Sequence, residues 1–356
     1  MSLLTLPTEL LCLLPLYLDN IESFTSASST CRTLRAAFLT THPSTILRLA
    51  ASSSPTFFSP HPYFLIAATA RSVSNWATSP GHPDRITALR RAFHGGIYAL
   101  YDFCIEHGSL TLDRIRETHL ARFAIINPLS DKIDKMAGKQ WSKTPRFWHG
   151  GVSEAVTLYT DSDRAAFQVI IYGELFGGAI DAFLDSGEGE GGGLRGLDMD
   201  ARLDFLTYCL PDDTEPNHPG DDNPTQFSYY EDQRALRHIV KCNRWRRMWG
   251  AAIREDIDAG FEDEGGRDEG WEKKLLRDAL MVQGLRGMEM VTRKAGVDLS
   301  AGCLDKARWV WERIRKLKKE PEVRMMGRRA NLKVSVVPDP VRELTVVYGG
   351  QWASSV

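Results

Sequence analysis

Residues 4–24 read LTLPTELLCLLPLYLDNIESF, a leucine-dense run that stops at an acidic turn. Three structures compete for it: the apolar core of a secretion signal, a helix buried in its own fold, or a helix presented to a partner. A secretion signal carries positive charge ahead of its apolar core and a small-residue cleavage site behind it. Here Glu9 lies inside the run, and the first basic residue, Arg32, comes well after it. Export is therefore not expected. Nor is a membrane span, which needs about 18 apolar residues without charge: Pro7, Glu9, Pro15 and Asp19 interrupt the run.

The whole chain narrows the choice further. Its 356 residues suffice for one large domain or two modest ones. With 43% hydrophobic and 25% charged residues, it has the composition of a globular protein. A formal net charge of −2 gives no general attraction to nucleic acid or membrane. The six cysteines (Cys12, Cys31, Cys104, Cys209, Cys242 and Cys303) are scattered, with no C-x-x-C pair. That pattern suits reduced, buried thiols and points to the cytoplasm or nucleus.

Within the opening run, Pro7 suits the first turn of a helix, where its missing N–H costs nothing. Leu10, Leu11, Leu14 and Leu18 follow at spacings that gather on one broad face, with Leu6 just ahead. Pro15 cannot donate a helical hydrogen bond, so this helix should kink or end near Leu14. Asp19 and Glu22 have capping-box spacing, which predicts a second helix carrying Ile21, Phe24, Cys31, Leu34 and Phe38. Helices this short enclose too small a core to stand alone, so the module must lean on its own chain or on a partner.

The remainder reads as mainly α. Residues 51–84 form a Ser/Pro-rich connection (ASSSPTFFSPHP, then TSPGHPD) with a short helix. Apolar residues from Leu89 to Cys104 recur at three- and four-residue intervals, predicting one amphipathic helix. Another is expected over 112–126, capped by Thr111 or Asp113 and closed by Asn127-Pro128. A buried helix spans 165–184, two more cover 231–258 and 272–295, and a basic helix covers 304–319. Flexible acidic or Gly-rich loops are expected near 185–197, 211–228 and 259–270. In the tail, 321–356, Lys333–Val337 and Leu344–Tyr348 suggest a small C-terminal β-hairpin. No fixed-period repeat is present.

Catalytic chemistry finds no support. His-Gly-Gly at 94–96 and 149–151 could build an oxyanion hole, but no G-x-S-x-G nucleophile exists to use it. Glycines near 187–196 follow no strand and sit among glutamates that would repel phosphate. The nine histidines are too dispersed for a close ligand pair. GHPD at 81–84 shares its His-Pro-Asp with co-chaperone J domains, but a Ser/Pro break replaces the basic helix that motif needs, so it reads as a turn before a helix. No catalytic residue, metal site or cofactor is expected. The basic helix, with Trp309, Trp311, Arg313, Arg315, Lys316, Lys318 and Lys319, offers a different activity: binding nucleic acid or anionic lipid. Against that, Val310, Ile314 and Leu317 align on a face suited to docking on a core.

LPTELLCLLPLYLD followed by SASSTCRTLRAAF resembles the F-box, in the form common among filamentous-fungal F-box proteins. Leu6-Pro7, Glu9-Leu10-Leu11, Leu14, Leu18-Asp19, Cys31-Arg32 and Leu34 carry the likeness, in order and spacing, over about 35 residues. Two positions depart from the pattern: Leu34 stands where many F-boxes carry an aromatic, and a Trp near the module's end is missing. Residues 87–141, with Ile126-Asn127-Pro128 and Gly138-Lys139-Gln140-Trp141, are similar to the helical region that follows the F-box in such proteins. The resemblance implies an F-box-like module over 1–50 and an α-helical substrate-recruiting domain over 85–320. It further implies docking on the S-phase kinase-associated adaptor of an SCF (cullin-RING) ubiquitin ligase and, through it, on a cullin. Leu6, Pro7, Leu10, Leu11, Leu14 and Leu18 would face the adaptor or fill the module core, with Ile21, Cys31 and Leu34 supporting them. Such a protein catalyses nothing and raises the effective concentration of an unknown substrate beside the charged enzyme. The alternatives are a helical interaction scaffold without a ligase, or binding through the basic helix.

Overall fold

The computed structural model describes residues 6–127, 155–186, 199–210, 271–281, 283–292, 301–317, 322–324 and 333–335. The N-terminal module comprises α1 (Thr8–Leu11), a 3-10 turn over Leu14–Tyr17, α2 (Ile21–Thr30), α3 (Arg32–Leu39) and α4 (Pro43–Ser52). Pro7 stands just outside α1, where its carbonyl accepts from the N–H groups of Leu10 (3.0 Å) and Leu11 (3.2 Å). The first helix lasts a single turn, and the chain then tightens around Pro15 into the 3-10 turn.

That tightening overturns the expected single leucine face. Leu11 is buried at 1% exposure, Leu14 and Leu18 are half-buried against the core, and Leu10 points outward. The start of α2 also differs. Asn20, not Asp19, is the cap, its side chain accepting from the Ser23 N–H at 2.8 Å. Glu22 is drawn away from any capping box by the Ser53 hydroxyl, 2.8 Å from Oε2. Nor is the second helix continuous. Cys31 is extended (φ −155°, ψ 165°), ending α2 and capping α3 with its sulfur 3.5 Å from the Leu34 N–H. The break folds α3 back on α2, so the buried rings of Phe24 and Phe38 meet at 4.9 Å.

The body begins with α5 (Ser54–Phe57) and α6 (Tyr63–Ala77). The connection expected over 51–84 thus holds a fifteen-residue helix, of which eleven residues are buried. Its alanines, with Thr69 and Ser74, keep the cylinder slim on every side, as a helix enclosed by neighbours requires. Next come α7 (Pro83–His94), α8 (Gly96–His107), α9 (Leu112–Ala121) and a π-helical turn over Arg122–Ile126. The helix expected across 89–104 is in fact two, broken where Gly96 adopts φ +80°, which lets α7 and α8 pack together. Thr111 caps α9 as expected, accepting from Arg114 N–H at 3.1 Å.

The buried helix expected over 165–184 is α10 (Ala155–Ser186), and it lies along α6 as the second central element. Phe167, Ile170, Ile171, Leu175, Phe176 and Ile180 are fully enclosed, placing the core between these two helices. Around them lie α11 (Met199–Tyr208) on α7, then α12 (Trp271–Met281), α13 (Leu285–Thr292) and α14 (Ala301–Ile314). The single helix expected over 272–295 is interrupted at Gly284, φ +67°. Two short strands, β1 (Glu322–Arg324) and β2 (Lys333–Ser335), pair antiparallel with Val323 opposite Val334. The strand expected from Lys333 therefore has a partner upstream, while its expected partner over 344–348 lies outside the described residues. Outside them too are the helix expected over 231–258, the loops near 211–228 and 259–270, and the loop near 185–197 beyond Ser186.

Candidate docking surface

The N-terminal helices share one hydrophobic core with the body. Leu11, Ile21, Phe24, Leu34, Ala37 and Phe38 are buried, and Leu14, Leu18 and Cys31 pack half-buried against them. Of the nine residues expected to form the site, these six core or near-core positions (Leu11, Leu14, Leu18, Ile21, Cys31 and Leu34) hold the module together. Leu6, Pro7 and Leu10 face outward. Beside those three lie residues the sequence reasoning passed over: Leu13, Leu16, Tyr17 and Leu39, all large, apolar and exposed. Tyr17 is 79% exposed, Leu39 73% and Leu10 47%. Leu39 ends α3 next to α1, where the neighbouring Thr40 hydroxyl reaches the Cys12 sulfur at 3.5 Å.

One sequence signal could have found the line. Leu10, Leu13 and Leu16 are three residues apart, and in a 3-10-like path residues at i and i+3 eclipse one another. A period of 3.6 groups Leu10, Leu14 and Leu18 instead, of which the structure turns Leu10 outward and half-buries Leu14 and Leu18.

Helix α4 holds this segment from behind. Arg48 Nη2 donates to the carbonyls of Pro15 (3.3 Å), Leu16 (3.1 Å) and Leu18 (3.3 Å). One turn on, the Ser52 hydroxyl lies 2.7 Å from the Asp19 carbonyl and 2.8 Å from that of Leu49 in its own helix, sharing one proton between them. Below this seam a shallow cleft of about 610 Å³ is lined by Asp19, Glu22, Ser23, Ser52, Ser53 and Phe57.

The other candidates resolve into structural contacts. Ser54 Oγ lies 2.7 Å from His61 Nδ1, and the Tyr101 ring packs edge-on to the His61 ring at 5.0 Å. Ser54 is buried, so its hydroxyl cannot reach a substrate; the trio joins α5 to α8. Burial lowers the His61 pKa and raises that of Tyr101. In the first His-Gly-Gly, His94 Nε2 is 3.3 Å from Asp204 and its ring rests 4.7 Å from Tyr208, while Arg90 pairs with the same carboxylate at 2.7 Å. The second lies outside the described residues. His82 precedes α7 and Asp84 sits in its first turn, as a plain helix start would have it. Among the described residues no three His, Cys, Asp or Glu side chains gather to hold a metal.

The basic helix docks as its apolar spacing predicts, with Val310 and Ile314 buried in α14 and Leu317 packed half-buried just beyond it. Lys306 pairs with Asp181 (2.7 Å) and Arg313 with Asp185 (2.8 Å), both acids of α10. The same cations flank the Trp309 ring at 4.1 and 5.6 Å. Arg315 and Lys316 are exposed, and Lys318 and Lys319 lie outside the described residues. No helix among the described residues is long and apolar enough to cross a membrane. Comparison of the chain with protein-family models, with curated proteins and with solved structures returns no match.

Proposed function

We propose that this chain is an F-box-like substrate receptor that docks on the S-phase kinase-associated adaptor of an SCF ubiquitin ligase, in the cytoplasm or nucleus. The supporting observation is the contrast within one small module: a filled core beside Leu6, Leu10, Leu13, Leu16, Tyr17 and Leu39 left in water. Single exposed leucines need no explanation, but this many large apolar side chains within about thirty-five residues suit a contact surface. A self-packed scaffold would have turned these side chains into its own body. The basic-helix alternative is weakened because two of its cations are already paired with α10 and stacked on Trp309.

In this reading the protein performs no chemistry. Docking places whatever the helical body holds beside the ubiquitin-charged enzyme, so transfer becomes effectively intramolecular. Calorimetric titration of the full chain with purified adaptor tests the first step. Leu10→Ser combined with Tyr17→Ser should weaken binding by about thirtyfold or more, as hot-spot truncations of about 2 kcal/mol do. Undiminished affinity in that variant, or no binding by the unaltered chain, defeats the proposal.

A further inference from the structure

The stretch that carries the F-box resemblance ends at Phe38, yet the surface it offers is supported from beyond that point. The 3-10 turn over Leu14–Tyr17 is only four residues long. Pro15 donates nothing, and the turn's entry is closed by one backbone bond, Leu16 N–H to Leu13 carbonyl at 3.0 Å. Carbonyls at the end of such a turn have no helical partner and must find one elsewhere. They find it in α4. Arg48 gathers the carbonyls of Pro15, Leu16 and Leu18, and Ser52 takes that of Asp19. These two donors are four residues apart, hence on one face of the helix. A guanidinium is also suited to the negative end of a turn of aligned peptides.

We infer that α4 is a positioning element for the docking surface, with Arg48 as its central positioning residue. Arg48 is itself exposed, and the role inferred for it runs through the backbone rather than through partner contact. It fixes the backbone from which Leu13, Leu16 and Tyr17 project, so that these side chains meet a partner already arranged. Because α4 also packs against α2 and α8, the arrangement is anchored in the body. The inference rests on the docking role proposed above, and the experiment separates the two.

The full chain is titrated with purified S-phase kinase-associated adaptor as unaltered protein, Arg48→Gln, Arg48→Lys and Val73→Ala. Val73 lies buried in α6, away from the turn, and serves as a control that loses stability without touching the surface. Arg48→Gln should bind about tenfold more weakly, the equivalent of about one well-made charged hydrogen bond. Arg48→Lys, which keeps a cationic donor, should recover most of that loss. Val73→Ala should bind normally despite a lower melting temperature. Hydrogen exchange supplies the readout that needs no partner: amides of residues 16–20 should exchange faster in Arg48→Gln than in the unaltered chain. Equal affinity of Arg48→Gln, or an equal loss in Val73→Ala, overturns the inference. If the unaltered chain does not bind, the docking role falls, and unchanged exchange at 16–20 in Arg48→Gln overturns the support by α4 as well.

Discussion

Leu10 and Leu11 are adjacent in sequence and opposite in environment, 47% against 1% exposed. Leu11→Ala removes a side chain from a closed core and should cost about 2–5 kcal/mol, read by chemical denaturation. Leu10→Ala removes one from water and should change stability by less than about 0.5 kcal/mol. Reversal of that order would mean the module is packed the other way round, with Leu10 inside. Leu34 is instructive for a different reason. At 6% exposure it is a core residue, so the leucine found where many F-boxes carry an aromatic faces Phe24 and Phe38 rather than water. Leu34→Trp would overfill that core, and a loss of about 1–3 kcal/mol is expected. Gly284 is constrained more tightly. It holds φ +67°, and a Cβ there would collide with the Glu174 carboxylate. Gly284→Ala should therefore destabilise by about 1–2 kcal/mol from backbone strain alone, with displacement of Glu174 added to it.

Glu174 raises the question from residues to elements. It is buried in the middle of α10 and receives Arg71 of α6 at 3.1 Å and Arg114 of α9 at 3.4 Å. The Leu285 N–H donates to it at 3.3 Å, so one carboxylate ties four elements: α6, α9, α10 and the start of α13. Burial works against the charge on Arg114, but Glu174 and Glu117 together outweigh it and the guanidinium pKa is raised. Glu174→Ala would leave two arginines facing each other. A loss near 3 kcal/mol is expected, the low end for a broken buried pair, because both arginines keep partial solvent contact. An unchanged denaturation midpoint would show the cluster to be ornamental. No sequence pattern announces such a tie, since Arg71 and Leu285 each lie more than a hundred residues from Glu174. Local signals carry the mainly helical class, a cap at Thr111 or Asp113 that falls to Thr111, an early end to the first helix ahead of Pro15, and the inner face of α14. Helix α6 is longer than the short helix expected over 51–84, because the Ser/Pro stretch before it suggests irregular chain and its mostly buried surface gives little polar contrast. The breaks at Cys31, Gly96 and Gly284 were missed because apolar spacing runs straight through them; only the backbone turns.

At the scale of the molecule, the titrating groups that burial perturbs lie where elements join. His61 links α5 to Tyr101 of α8, and His119 of α9 packs between Phe58 and Phe64, with ring centres 5.4 and 4.9 Å away. Burial lowers both imidazole pKa values below their usual 6.5, and the Arg122 charge lowers that of His119 further. The unfolded chain therefore takes up protons at a pH where the folded one does not. Stability from this source is present above about pH 6.5 and is lost as pH falls through the depressed values. On the alkaline side the sign reverses. Burial pushes the Cys104 thiol up to about 12, and Cys209 shifts upward for the same reason. Above pH 9 the unfolded chain ionises these thiols while the fold keeps them protonated, so stability falls as pH rises from 9 towards 12. Thermal unfolding followed from pH 5 to 10.5 should thus trace a dome with its top between about pH 7 and 8.5. His119→Leu should flatten the acid limb alone, and Cys104→Ala the alkaline limb alone. Each substitution reports on its own junction, α9 against α6 in one case and α8 in the core in the other. An acid limb equally steep in His119→Leu would mean that His119 is not buried between those rings.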